Sequence, residues 1–274
     1  MLGSTIGQFG HPFCIAVAAL LAAFYALIPN YAIAIALVTL TVMALLWPLT
    51  LRAARAAMKT QLLAPELKRL REKYAPGPGM DAEERRSRHA RQQEELLALY
   101  QARGIKPTAG FLPALLPLPI FLVLYSTIRG LIHQGWSSTA GALVAAPLYV
   151  SHATGLYRSL QDAGGAMRSF GINLADSVRS SGLSWDARLP LLGLVLIAAA
   201  LQHLQMRQLN RRKSAIATRA QPHWLQWLLP VVLAVVYLSV PAGVNVYFVV
   251  AGVLRLLQQE VIHRLEREPR AAGS

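Results

Sequence analysis

The chain has 274 residues, 54% of them hydrophobic and 15% charged, with a mean hydropathy of +0.39 and a formal net charge of +14. That balance excludes an ordinary soluble domain and indicates a polytopic membrane protein of all-α class. The excess of Lys and Arg lies between apolar runs, where the positive-inside rule puts it, so it argues for topology rather than direct nucleic-acid recognition. The single cysteine, Cys14, excludes an internal disulfide and has no Cys or His cluster around it, so neither a metal nor a cofactor is expected.

No Asp, Glu, Lys or Arg precedes Arg52. Residues 1–30 are read as an extracytoplasmic N-terminus. Within it, Pro12 to Ile28 is marginal in length for crossing and is predicted to be an interfacial helix leading into the first span. This N-terminus has neither the basic n-region of a secretory signal nor the Arg-rich character of a transit peptide, which makes a bacterial plasma membrane the expected location. Five spans are predicted in a core of residues 31–259: Tyr31 to Leu51, Gly110 to Leu131, Leu189 to Met206, Trp224 to Val240, and Val244 to about Gln259.

Charge sets the orientation. Arg52 to Lys106 carries thirteen basic and seven acidic residues, and Arg207 to His223 carries five basic and no acidic ones; both belong inside. The connection 132–188, rich in Gly and Ser, has four Arg and three Asp and suits the outer side. Within it Gly141 to Val150 is apolar but too short to cross, and reads as a surface-lying or packed segment. The resulting topology is N-terminus out and C-terminus in, with a short cytoplasmic tail at 260–274.

Residues 53–103 are more than a plain loop. Leu63, Leu67, Leu70 and Tyr74 recur at helical spacing, and His89, Gln93, Leu96, Leu97 and Tyr100 form a second stripe beyond the breaker Ala75-Pro76-Gly77-Pro78-Gly79. A cytoplasmic helical hairpin is predicted, serving either as a solvated, salt-bridged element or as a docking arm.

No catalytic constellation is visible. The seven histidines are scattered, no hydrolase, metalloprotease or phosphate-loop motif occurs, and none of the five predicted spans contains Asp or Glu. An enzyme is not expected, and carboxylate-based proton coupling is disfavoured. The spans do hold a modest polar set. Thr50 and Arg52 close the first, Gln202 and Gln205 lie one turn apart in the third, and Asn245 sits in the last, with Arg255 and Gln258 towards its inner end. Position alone allows the arginines to snorkel to the interface and the amides to tie helices together. In the second span Pro113, Pro117 and Pro119 each delete a helical hydrogen bond, which predicts a kinked helix bordering a cavity.

Several motifs then become recognisable. Trp47-Pro48-Leu49-Thr50-Leu51-Arg52, Ala64-Pro65-Glu66-Leu67-Lys68, the run from Gly104 to Pro113, Pro119-Ile120-Phe121, Leu124-Tyr125 and Pro241-Ala242-Gly243-Val244-Asn245-Val246-Tyr247-Phe248 occur in that order. Together they resemble the YidC/Oxa/Alb membrane protein insertase family, in its Gram-positive or actinobacterial style. The resemblance implies five spans, an interfacial helix before the first, a cytoplasmic hairpin, and a hydrophilic groove open to the cytoplasm and lipid. It assigns the functional arginine to Arg52, the polar glutamine of the third span to Gln205 and the aromatic after Tyr in the last span to Phe248. Where the family often has Cys, Gln and Trp, this chain has Phe111, Pro117 and Phe248, which makes the groove less polar.

The expected function is that of an insertase and chaperone that passes short hydrophilic tails through the groove and releases hydrophobic segments into lipid. Its expected partners are nascent membrane proteins and the bilayer, with the ribosome and a Sec-type channel as further candidates. The short, mixed-charge tail argues against strong ribosome tethering. The alternative is a small-solute transporter or anion channel using Arg52 as a selectivity charge.

Overall fold

A computed structural model of the protein describes residues 2–53, 63–75, 79–104, 117–137, 142–212 and 223–271. The order of elements is α1 (Leu2–Leu27), α2 (Tyr31–Leu45), α3 (Trp47–Ala53), α4 (Ala64–Lys73), α5 (Ala82–Ala102), α6 (Pro117–Leu131), β1 (Gln134–Ser137), β2 (Ala142–Ala145), α7 (Gly155–Asp162), β3 (Arg168–Ser169), β4 (Ile172–Asn173), α8 (Trp185–Arg212), α9 (His223–Ser239) and α10 (Ala242–Ala271). The chain forms two compact units. One comprises Met1–Leu46, Leu118–Met206 and Trp227–Ser274, the other Trp47–Pro117 and Arg207–Gln226.

In the first unit the core lies where α1, α2, α6 and α10 meet the connection between α6 and α8. On α1, Cys14, Ala18, Leu21 and Ala22 are buried, the spacing of one helical face. The helix begins at Leu2, ten residues before the predicted start, because Gly3, Gly7 and Gly10 supply no apolar periodicity that would announce it. Asn30 stops α1 from running into α2: its side-chain carbonyl accepts from the Ile33 N–H at 3.2 Å, the N-cap geometry that starts a helix. Ile35 and Val38 from α2, Ile128 and Leu131 from α6, and Val244 and Tyr247 from α10 are almost wholly buried together with Leu156, Leu160, Met167 and Leu174 of the connection.

The mostly helical fold is consistent with the all-α expectation, and the connection adds two short strand pairs to it. Within that connection β1 pairs antiparallel with β2, Gln134 opposite Ala145 and Ser137 opposite Ala142, and β3 pairs with β4, Arg168 opposite Asn173. Its Gly- and Ser-rich sequence has poor helix propensity, and short hairpins satisfy the backbone instead. Within it α7 is a genuine helix. Thr154 caps it by accepting from the Tyr157 N–H at 3.2 Å, and Leu156 and Leu160, one turn apart, point into the core.

Among the described residues, Trp185–Gln208 and Ala242–Val261 are long and apolar enough to cross a membrane, and Tyr31–Leu45 with Trp47–Ala53 qualifies as one bent span. These contain or overlap three of the predicted spans. Leu118–Leu131 and His11–Leu27 are shorter apolar helices, and the predicted span at 224–240 coincides with α9. The first part of the predicted second span, 110–116, lies outside the described residues.

In the second unit α4 packs on α5, and the pairing is antiparallel: Glu66 meets Arg103 at 2.6 Å and Lys73 meets Glu95 at 2.5 Å. Helix α5 has no buried residue. The Lys73 ammonium hydrogen-bonds the Glu95 carboxylate, which raises the lysine pKa and lowers that of the glutamate.

Candidate functional site

Four hydroxyls inside the first unit's apolar helices are satisfied by their own helix. The hydroxyls of Thr39, Thr41, Thr127 and Ser239 donate to the carbonyls of Ile35, Leu37, Val123 and Val235 at 2.7, 2.8, 2.8 and 2.7 Å. Such bonds to the residue four back remove an unpaired donor from an apolar environment without creating a polar surface.

The amides do something different. Gln205 on α8 is buried, and its Nε2 donates to the Gly252 carbonyl of α10 at 3.1 Å. The two helices approach closely at Gly252: a Cβ there would come within 3.0 Å of Gln205 Nε2 and 3.2 Å of Leu201 Cβ, so a larger residue would require those side chains to give way by a few tenths of an ångström. Asn245 Nδ2 donates to the Tyr237 carbonyl at 2.9 Å, while Asn245 Oδ1 is buried with no hydrogen-bond partner among the described residues. Phe248 sits among aromatic rings, 4.8 Å from Tyr237, 5.2 Å from Tyr247 and 5.3 Å from Phe121. The first unit therefore gathers Asn245 and Phe248 around the α9–α10 seam and places Gln205 on the α8–α10 seam. Gln202, one turn before Gln205, is half-buried.

Thr50 and Arg52 belong to the other unit. Arg52 is exposed on α3 and has no ion-pair partner among the described residues, and Thr50 is half-buried. Pro117 and Pro119 fall in the first turn of α6, where a missing N–H leaves no intrahelical bond unmade. Pro113 lies outside the described residues.

Among the described residues the connection carries a dense polar network that no sequence motif announces. Ser159 Oγ is 2.9 Å from the Tyr25 hydroxyl and 2.8 Å from that of Tyr31, two rings that are themselves 4.7 Å apart. Ser169 Oγ donates to Asn30 Oδ1 at 2.5 Å and accepts from the Ala32 N–H at 3.2 Å. Further along, the carbonyls of Asp176 and Leu174 accept from the Ala242 and Gly243 N–H groups at 2.7 and 2.9 Å. These are two of the orphan donors at the start of α10. Gly243 allows the approach, since a Cβ would meet Ile35 Cδ1 at 3.2 Å. The connection thus locks the first turns of both α2 and α10. The one local signal was Thr154 followed by Leu156 and Leu160.

A family model described as 60Kd inner membrane protein matches residues 23–269. The chain belongs to that family. Among curated members of this YidC/Oxa/Alb group, a membrane protein insertase YidC of Caulobacter vibrioides is 25% identical over 252 residues, 89% of this chain and 35% of the relative. The ALBINO3-like protein 1, chloroplastic, of Arabidopsis thaliana is 28% identical over 239 residues, 84% of this chain and 42% of the relative. A membrane protein insertase YidC of Granulibacter bethesdensis reaches 38% over a shorter stretch of 104 residues, 38% of this chain and 16% of the relative. The chain thus spans well under half the length of these relatives. Family membership and apolar helices make it an insertase-family membrane protein.

Proposed function

We propose that this chain inserts hydrophobic segments of nascent membrane proteins into the plasma membrane of a bacterium, with Arg52 as the charge that captures their hydrophilic tails. The supporting observation is the family match across residues 23–269, within which the motif Trp47 to Arg52 ends the first span. In this reading five helices cross the bilayer, α1 precedes them at the interface, and the α4–α5 hairpin and the tail 260–274 lie in the cytoplasm. The connection 132–188 closes the outer side. Arg52, Thr50, Gln202, Gln205, Asn245 and Phe248 are the residues proposed to meet the substrate. Ribosomes and a Sec-type channel are candidate partners.

Magnitudes limit the cargo. Two unit charges about 4 Å apart at an effective dielectric near 20 attract by about 4 kcal/mol. Carrying one Asp to mid-membrane costs about 2.5–3.5 kcal/mol. Arg52 therefore offsets about one acidic residue, and short, lightly charged tails are the preferred substrates. Insertion of a single-span substrate with one acidic residue in its tail, measured in vesicles carrying Arg52→Ala or Arg52→Lys, tests this. The Ala variant loses insertion of that substrate and Lys retains much of it; full insertion by the Ala variant removes charge capture from the account.

A further inference from the structure

Two non-glycine residues of the described chain adopt the left-handed backbone region, Tyr149 at φ 68° and Phe170 at φ 50°. Large side chains rarely occupy that region, and each such case calls for a reason. Tyr149 has one: its ring meets His11 edge-on at 5.5 Å and lies against Gly130. Phe170 sits instead at the tip of the β3–β4 hairpin, followed by Gly171 at φ 79°, and is 74% exposed. A two-residue turn with both φ positive prefers Asn or Gly at its first position, since these carry no bulk into the crowded region. The hairpin places an aromatic ring there and then turns it outward.

The root of this hairpin is fixed. Ser169, buried, bonds to Asn30 and to the first turn of α2, and Leu174 caps the start of α10. Phe170 is therefore one residue from the point where the chain is tied to the ends of two apolar helices. Two further exposed aromatics mark the feet of the same connection: Trp136, 71% exposed, just beyond the end of α6, and Trp185, 72% exposed, the first residue of α8. Arg168, exposed on β3, and Arg188, whose guanidinium lies 5.6 Å over the Trp185 ring, add positive charge beside them. Exposed aromatics next to arginines at the ends of apolar helices match the headgroup level of a bilayer, where rings partition and guanidinium groups meet lipid phosphates.

We infer that Phe170, together with Trp136 and Trp185, inserts into the lipid headgroup region at this end of the helices, so that the connection is a lipid-anchored cap. The inference rests on the reading that α2 crosses the bilayer.

The test uses the full chain with Cys14→Ala and a single nitroxide-labelled cysteine at position 170, 158 or 40, in vesicles of phosphatidylethanolamine and phosphatidylglycerol. Position 158, an exposed arginine of α7, is the aqueous reference, and Leu40, exposed midway along α2, is the lipid reference. Preference for oxygen over a water-soluble nickel chelate as collision partner should be several-fold greater at 170 than at 158, and smaller than at 40. Equality of 170 with 158, while 40 reports lipid, overturns the inference and leaves the span intact. Water accessibility at 40 overturns the span reading and the inference with it. Protection at 170 that appears only on raising the protein-to-lipid ratio overturns the lipid assignment in favour of a second copy. Undiminished exchange protection of the amides at 168–174 in the labelled variant confirms that the hairpin persists.

Discussion

The connection 132–188 and the α4–α5 hairpin both join apolar helices, yet opposite forces hold them. The connection buries Leu156, Leu160, Met167 and Leu174 and ties its serines to residues more than a hundred positions away. The hairpin buries nothing on α5 and closes through ion pairs exposed to solvent. Apolar burial and satisfied buried polar groups are insensitive to salt, whereas exposed ion pairs contribute little and are screened. The first region is thus held by burial and the second by screened charge.

The largest effect is expected from Leu160→Ala, which empties a fully buried position where α7 meets the core. A loss of about 2–5 kcal/mol is expected, read as a lower thermal midpoint of the detergent-solubilised chain, with hydrogen exchange in the α4–α5 hairpin unchanged. If the hairpin loosened equally, the contrast between the regions would collapse.

Ser159→Ala comes next, because it strands the hydroxyls of Tyr25 and Tyr31 against each other. Each buried group left unpaired costs about 1–3 kcal/mol. Adding Tyr31→Phe should recover part of that loss, so the double variant is less destabilised than the sum of the singles. Strict additivity would mean that the serine is not the shared partner.

The smallest effect belongs to the hairpin. Glu95 has a lowered pKa, so its contribution is present above the ordinary carboxylate range and is lost as pH falls through the lowered value. Lys73 has a raised pKa, so its contribution is present below the ordinary lysine range and is lost as pH rises through the raised value. Exchange protection across 64–104 should therefore hold between those limits, weaken beyond either, and weaken in about 1 M salt, where the screening length falls to about 3 Å. Protection in 155–162 should not respond to salt.

The helices were legible in the sequence because an apolar run announces itself, and α4 and α5 because their stripes repeat at helical spacing. The connection was not, since its information resides in Ser159, Ser169 and Asn30, small polar residues whose meaning depends on partners 128 to 139 positions distant. Gln205 was visible as a polar residue in a span, but its partner is a backbone carbonyl exposed by Gly252, a pairing no side-chain pattern encodes. Phe248 was reached through resemblance, and its aromatic surroundings from three helices emerge only in the fold. The role assigned to Arg52 rests on its place in a motif, which makes it the point most in need of direct measurement.

That measurement is site-specific photocrosslinking from position 52 to a ribosome-stalled single-span nascent chain, scanned along the substrate's tail, with position 88 on α5 as reference. The account predicts crosslinks from position 52 that concentrate at the acidic residue of the tail and weaken when that residue is neutralised. Crosslinks evenly spread along the tail and indifferent to its charge, or no stronger from 52 than from 88, would contradict it.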